Sequence, residues 1–102
     1  MDINTKIKQT INSVVPSAEV FLFGSRARGD NHFDSDWDIL ILLPDSADYQ
    51  FKRLILNELL EIELTEKQIF NVIFRYAKKW FNDDFTHQTP FYKSVVKEMI
   101  SL

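Results

Sequence analysis

Two aspartates stand two positions apart at the start of an apolar run. They are Asp36 and Asp38, and the run continues to Leu43. Because side chains alternate across a strand, we expect both carboxylates on one face and Trp37 on the other. Neighbouring carboxylates repel each other unless a cation lies between them. The pair therefore predicts a site for a divalent ion that takes oxygen ligands, Mg²⁺ or Mn²⁺.

The Gly24-Ser25 turn, which follows the apolar run 19–23, has the residue types of a phosphate site. Glycine lets a backbone approach a ligand closely. The N–H groups that open a short helix, together with the Ser25 hydroxyl, can bind an anion. Arg26 and Arg28 can add charge-assisted contacts to phosphate oxygens. The turn and the aspartate pair together predict a nucleoside triphosphate bound through a divalent cation.

The predicted secondary structure alternates between helices and strands. Apolar residues spaced by four, four and three predict a helix over residues 2–15. Strands are predicted over residues 19–23, 36–43 and 69–76. Further helices are predicted over residues 25–29, 47–64 and 78–81 and from Thr89-Pro90 through Ile100, with a loop over 82–88. The predicted fold class is α+β (α/β-like), with a small mixed sheet of three or more strands packed with helices in one domain, residues 1–102.

Composition excludes several classes of protein. The chain has 102 residues, 45% of them hydrophobic, a formal net charge of −3 and no cysteine. Without cysteine there are no disulfides and no thiolate zinc site. The acidic balance argues against strong nucleic-acid binding, which depends on neutralising phosphates. Since no apolar run approaches a membrane span and the N-terminus does not read as a signal peptide, we expect a soluble, cytoplasmic protein that binds no membrane.

The stretch from Gly24 to Asp38 resembles the signature of the minimal nucleotidyltransferases of the DNA polymerase β-like superfamily. It reads GSRARG, followed after a short loop by SDWD. The resemblance implies the nucleotidyltransferase fold and Mg²⁺-dependent transfer of a nucleoside monophosphate, with AMP from ATP as the expected case, to an acceptor hydroxyl. Many members pair with a HEPN-domain protein as toxin and antitoxin. The resemblance thus also implies a HEPN-type partner that carries the acceptor, and a homo-oligomer stays open as well.

This sequence departs from the superfamily pattern at the third carboxylate. The resemblance places that carboxylate on the strand over residues 69–76, where the only inward polar residue is Asn71. An amide can ligate a metal but cannot take a proton. An alternative function therefore stays open, in which a nucleotide-binding or protein-binding module with weak or no catalysis neutralises a partner by forming a complex.

An aromatic group near the C-terminus also allows two interpretations. It consists of Trp80, Phe81, Phe85 and Phe91. These side chains form either an exposed patch for a partner or a cover for the open side of a small sheet.

Overall fold

Four strands form one mixed sheet: β1 (Glu19–Phe23), β2 (Trp37–Leu43), β3 (Phe70–Tyr76) and β4 (Ile100–Ser101). The strand order is β3-β2-β1-β4. Strand β2 pairs antiparallel with β1 and parallel with β3, while β4 pairs antiparallel with β1. This computed structural model describes residues 1–102 and confirms the predicted α+β class with a mixed sheet.

Six helices connect and flank the strands: α1 (Ile3–Val14), α2 (Ser25–Arg28), α3 (Tyr49–Glu66), α4 (Ala77–Asn82), α5 (Asp84–Gln88) and α6 (Pro90–Val96). Side-chain caps fix where the longer ones begin. The Asp2 carboxylate accepts from the Thr5 N–H at 2.8 Å, and Asp48 caps α3 in the same way. Thr89 caps α6 as predicted. No helix combines the length and the apolar character needed to cross a bilayer.

The central strand β2 is covered on both faces, which explains why it reads as a continuous apolar run. Its residues Ile39, Ile41 and Leu43 pack in a core with α1 and α3. Leu40 and Leu42 point to the opposite face, where they pack against Trp80 and Val95 from α4 and α6. Asp38 belongs to this second face by alternation, and Trp37 packs on the first face as predicted. The Asp38 carboxylate therefore lies on the α4–α6 side of the sheet.

Two predictions for the C-terminal third are wrong. Residues 84–88 form α5 instead of a loop, because the Asp83 carboxylate caps them through the Thr86 N–H at 2.9 Å. The last helix ends at Val96, and Ile100 lies in β4. The apolar spacing misled the prediction because Met99 still packs on the core beyond the helix, after a turn in which its N–H donates to the Val95 carbonyl at 2.8 Å.

The aromatic group divides between the two interpretations. Trp80 is buried, and Phe91 packs edge-on against it with ring centroids 6.1 Å apart. These two rings cover the sheet. Phe81 and Phe85 remain exposed at the surface.

Candidate functional site

The Asp38 carboxylate lies between the end of β1 and the start of β3. Asp38 is the pairing partner of Phe23 on one side and of Asn71 on the other. The Asn71 side-chain amide donates to Asp38 Oδ1 at 3.0 Å. On the opposite side, a Cβ added to Gly24 would lie only 2.0 Å from Asp38 Oδ2. Both carboxylate oxygens are thus positioned, one by a hydrogen bond and one by close packing against the Gly24 backbone.

Gly24 adopts a backbone conformation that connects β1 directly to α2. Its φ is 73° and its ψ is −158°, a region that is essentially restricted to glycine. The Gly24 carbonyl accepts from the N–H groups of Ala27 and Arg28, and Gly29 ends the helix with φ 84°. The Ser25 hydroxyl makes no hydrogen bond within the chain. The N–H groups of the first turn have no preceding helical carbonyl, so this turn offers donors next to Asp38.

Arg26 has a structural role that the sequence did not indicate. Its guanidinium donates to the Ser35 carbonyl from Nε at 3.1 Å and from Nη2 at 2.9 Å. Nη2 also donates to the Phe33 carbonyl at 3.1 Å. The guanidinium carbon lies 4.3 Å from the centre of the Trp37 ring. Arg26 therefore holds the loop that leads to the aspartates, and only Nη1 has no partner within the chain.

Replacing Arg26 with lysine is expected to lower the free energy of unfolding by about 1–2 kcal/mol, because an ammonium cannot reproduce the planar, forked set of bonds to the loop carbonyls. Urea denaturation followed by circular dichroism measures the change. Arg28→Lys is the matched control and should cost less, since the Arg28 side chain is itself 48% exposed and water screens its ion pairs. Equal losses in the two variants would contradict the loop-holding role of Arg26.

Arg28 connects α2 to the C-terminal segment. Its guanidinium donates to a Glu98 carboxylate oxygen at 2.6 Å and to Asp30 at 3.2 Å. The hydrogen bond to Glu98, and then the one to Asp30, raise the pKa of Arg28 above its ordinary value. Arg28 stays charged, with Nη2 free of partners within the chain.

Asp38 at this corner and Asp36, two positions before it in the chain, fit one divalent ion that is completed by ligand oxygens. Asp36 directly precedes β2 and is exposed, and Asp38 is half-buried. No group of three or more histidine, cysteine, aspartate or glutamate side chains lies together in the chain. Mg²⁺ commonly binds through one or two carboxylates plus water and substrate phosphates, so two aspartates suffice. A cage built from protein ligands alone does not fit these residues.

The sequence of residues 5–101 matches the family described as the nucleotidyltransferase domain. The chain belongs to this nucleotidyltransferase family. The match confirms the resemblance drawn from the Gly24–Asp38 stretch. No curated protein matches the sequence of this chain.

Two solved structures share the fold of this nucleotidyltransferase domain. One is described as a toxin–antitoxin with AMP-PNP. It aligns with a TM-score of 0.66 over 98% of this chain and 72% of that chain, at 18% sequence identity. The other is a mutant of the toxin–antitoxin MntA–HpeT that carries two aspartate-to-glutamate substitutions. It aligns with a TM-score of 0.65 over 99% of this chain and 72% of that chain, at 16% identity.

The fold of this nucleotidyltransferase domain brings some predicted site residues together and commits others elsewhere. Gly24, Asp38 and Asn71 converge at one corner, with Ser25 next to Gly24. Arg26 and Arg28 make contacts within the chain through most of their nitrogens, as described above. Sequence reasoning missed Gln68, whose side-chain oxygen accepts from the Trp37 ring N–H at 3.0 Å. No local pattern marks Gln68, because its partner lies 31 positions away in the chain.

Two cavities border the same side of the nucleotidyltransferase domain. The more enclosed one, about 360 Å³, lies among β3 and α4–α6 with Trp80 and Phe91 in its wall, and it includes none of the predicted site residues. An open groove of about 650 Å³ begins at Arg28 and is lined further by Lys93 and Lys97. A polyphosphate needs polar donors and cations. We therefore place the candidate site at the Gly24–Asp38 corner, although the apolar cavity is better enclosed.

Proposed function

We propose that this chain, as one domain over residues 1–102, transfers a nucleoside monophosphate from a nucleoside triphosphate to a hydroxyl of a partner protein, as the antitoxin-like member of a pair. ATP is the expected substrate, and a HEPN-type protein is the expected partner. The observation that carries the proposal is the contact of the Asp38 carboxylate with Gly24, because Asp38 is the proposed metal ligand and the turn at Gly24 is the proposed phosphate site. The family match and the toxin–antitoxin neighbours support it.

Each residue of the corner has a proposed role in holding the triphosphate. The Ser25 hydroxyl and the N–H groups around it bind the β- and γ-phosphates. Arg28 contributes positive charge through its free nitrogen, and Arg26 through Nη1. Asp36 and Asp38 hold Mg²⁺ or Mn²⁺, which when bound neutralises phosphate charge.

The proposed reaction forms one phosphorus–oxygen bond and breaks another. The acceptor oxygen attacks the α-phosphorus, the bond from that phosphorus to the bridging oxygen breaks, and pyrophosphate leaves. The reaction is accelerated by positioning of the reactants and by electrostatic stabilisation of the transition state, and no covalent enzyme intermediate forms. The acceptor proton passes to water, because the Asn71 amide cannot take it. Asn71 instead orients Asp38 through its hydrogen bond.

A second candidate function is supported by the same amide. A chain that keeps Asn71 at this position can bind nucleotide with little turnover and neutralise its partner by forming a complex. Inhibition would then depend on the protein interface rather than on the aspartates.

Removing both aspartates should separate the two functions. We expect Asp36→Ala/Asp38→Ala to lower transfer of label from α-phosphate-labelled ATP to the partner protein by at least about a hundredfold, because the metal ligands are lost. The assay uses Mg²⁺ and the purified candidate partner or a lysate that contains it. Asp34→Ala is the control, since Asp34 is an exposed acid in the adjacent loop. If the wild type transfers no label, and if it and both variants bind the partner equally tightly, the result favours the binding module.

A further inference from the structure

Helix α3 carries an apolar stripe on the side that faces away from the core. Its buried side consists of Ile55, Leu59 and Ile62. The stripe is defined by Tyr49, Leu56, Leu60 and Leu64, whose exposed fractions are 71%, 44%, 50% and 69%. Their spacings of seven, four and four residues place them on one helix face, and Arg53 fills the position between the first two. No other part of the chain covers this face.

The charges along α3 are separated between its two halves. The N-terminal half carries Lys52 and Arg53 and no acid. The C-terminal half carries Glu58, Glu61, Glu63 and Glu66 and no base. Within the chain, Glu63 also accepts from the Phe70 N–H at 3.1 Å and Glu66 pairs with Lys6. A second α3 helix running in the opposite direction would bring each basic half next to an acidic half. A parallel partner helix would instead place like charges together.

We propose that a second copy of this chain covers the stripe, with two α3 helices packed antiparallel about a two-fold axis. If the axis passes halfway between Leu56 and Leu60, Leu56 of one copy lies level with Leu60 of the other. The same axis puts Arg53 level with Glu63. One surface thus brings its apolar residues together and places its opposite charges level with each other by meeting itself, as a two-fold interface requires.

The geometry of the fold makes this dimer compatible with the proposed function but independent of it. α3 packs on one face of the sheet, and Asp38 lies on the other. Both candidate sites of a dimer therefore remain open. The 18 residues of α3 span about 27 Å. A single helix pair of this length is smaller than a standard interface of roughly 800 Å² per partner, so we expect a dissociation constant of micromolar order.

Sedimentation equilibrium over a range of concentrations tests the dimer. We expect Leu56→Asp/Leu60→Asp to raise the dissociation constant at least tenfold, because four carboxylates would meet at the axis. Leu54→Asp is the matched control, since Leu54 is 51% exposed on the same helix but outside the stripe. Circular dichroism verifies that both variants fold. A wild-type chain that stays monomeric at several hundred micromolar overturns the proposal. This holds even if α3 is found to bind a different protein, because the proposal names a second copy as its partner.

Cysteine pairing tests the direction of the helices, and the chain has no cysteine of its own to interfere. Single variants Leu56→Cys and Leu60→Cys, carrying tags of different mass, are mixed and oxidised. The antiparallel dimer predicts that the mixed disulfide exceeds either homodisulfide. Leu54→Cys should give neither. A preference for the homodisulfides would overturn the antiparallel arrangement.

Discussion

Replacing Gly24 with alanine is expected to abolish the proposed nucleotide transfer and to lower the free energy of unfolding by about 2–4 kcal/mol. Two causes act together. The φ of 73° with ψ −158° is essentially inaccessible to alanine, and the new Cβ would lie 2.0 Å from Asp38 Oδ2. Asp38 would have to move away, which breaks its hydrogen bond to Asn71 and displaces a proposed metal ligand. Label transfer and urea denaturation measure the two losses.

Gly29 provides the matched control for this substitution. Its φ is 84°, but a Cβ added there meets no atom within 4 Å. Gly29→Ala should therefore cost only about 1–2 kcal/mol of backbone strain and leave transfer intact.

A double-mutant cycle isolates the clash from the strain at Gly24. In Asp38→Ala the nearest remaining atom, Cβ, lies 3.2 Å from the added methyl. Adding Gly24→Ala to Asp38→Ala should then cost about 1 kcal/mol less than adding it to the wild type. Strict additivity of the two losses would show that the contact with Asp38 is not the cause.

The central part of the fold was predictable because its patterns are local. A strand that ends at Gly24, a short helical turn and a second apolar strand follow from residue types and spacing alone. The position of Asn71 next to Asp38 is a different matter. It depends on the parallel register of β2 and β3, and α3 with its flanking segments separates the two strands in the chain. Spacing suggested an inward position for Asn71, whereas the structure has it exposed, and spacing could not show which residue of β2 it meets.

The role of Arg26 shows the limit of reading chemistry from residue type. An arginine after a Gly-Ser turn has the charge to bind phosphate, and the sequence favoured that use. In the structure most of its donors bind backbone carbonyls of residues 32–35. Because every residue has a backbone carbonyl, no side-chain pattern in the sequence could predict these bonds. The strand β4 was missed for a similar reason. Two residues, Ile100 and Ser101, form it by backbone pairing with β1, which leaves no periodic signal.

Asn71 is the residue whose substitution should change the activity in the opposite direction. Asn71→Asp is expected to raise both the affinity for Mg²⁺ or Mn²⁺ and the rate of transfer, each by about tenfold or more, since a third carboxylate would face the proposed metal site next to Asp38. Metal affinity is measured by titration calorimetry and transfer by labelled ATP. Asn71→Ala is the control, because it removes the hydrogen bond to Asp38 without adding charge.

The stability of Asn71→Asp should reveal the same change without any enzymatic readout. When metal is chelated, the substitution replaces the hydrogen bond from the Asn71 amide to Asp38 Oδ1 with repulsion between two carboxylates. The free energy of unfolding near pH 7 should therefore fall by about 1–2 kcal/mol. Each kcal/mol lowers the melting temperature by about 4–8 °C. The two carboxylates can share a proton at low pH, and the destabilisation should therefore grow as the pH rises from 4 to 7. Saturating Mn²⁺ should reverse it. If metal neither restores stability nor binds more tightly, residue 71 does not face the metal, and the third carboxylate that the resemblance implies must correspond to another position.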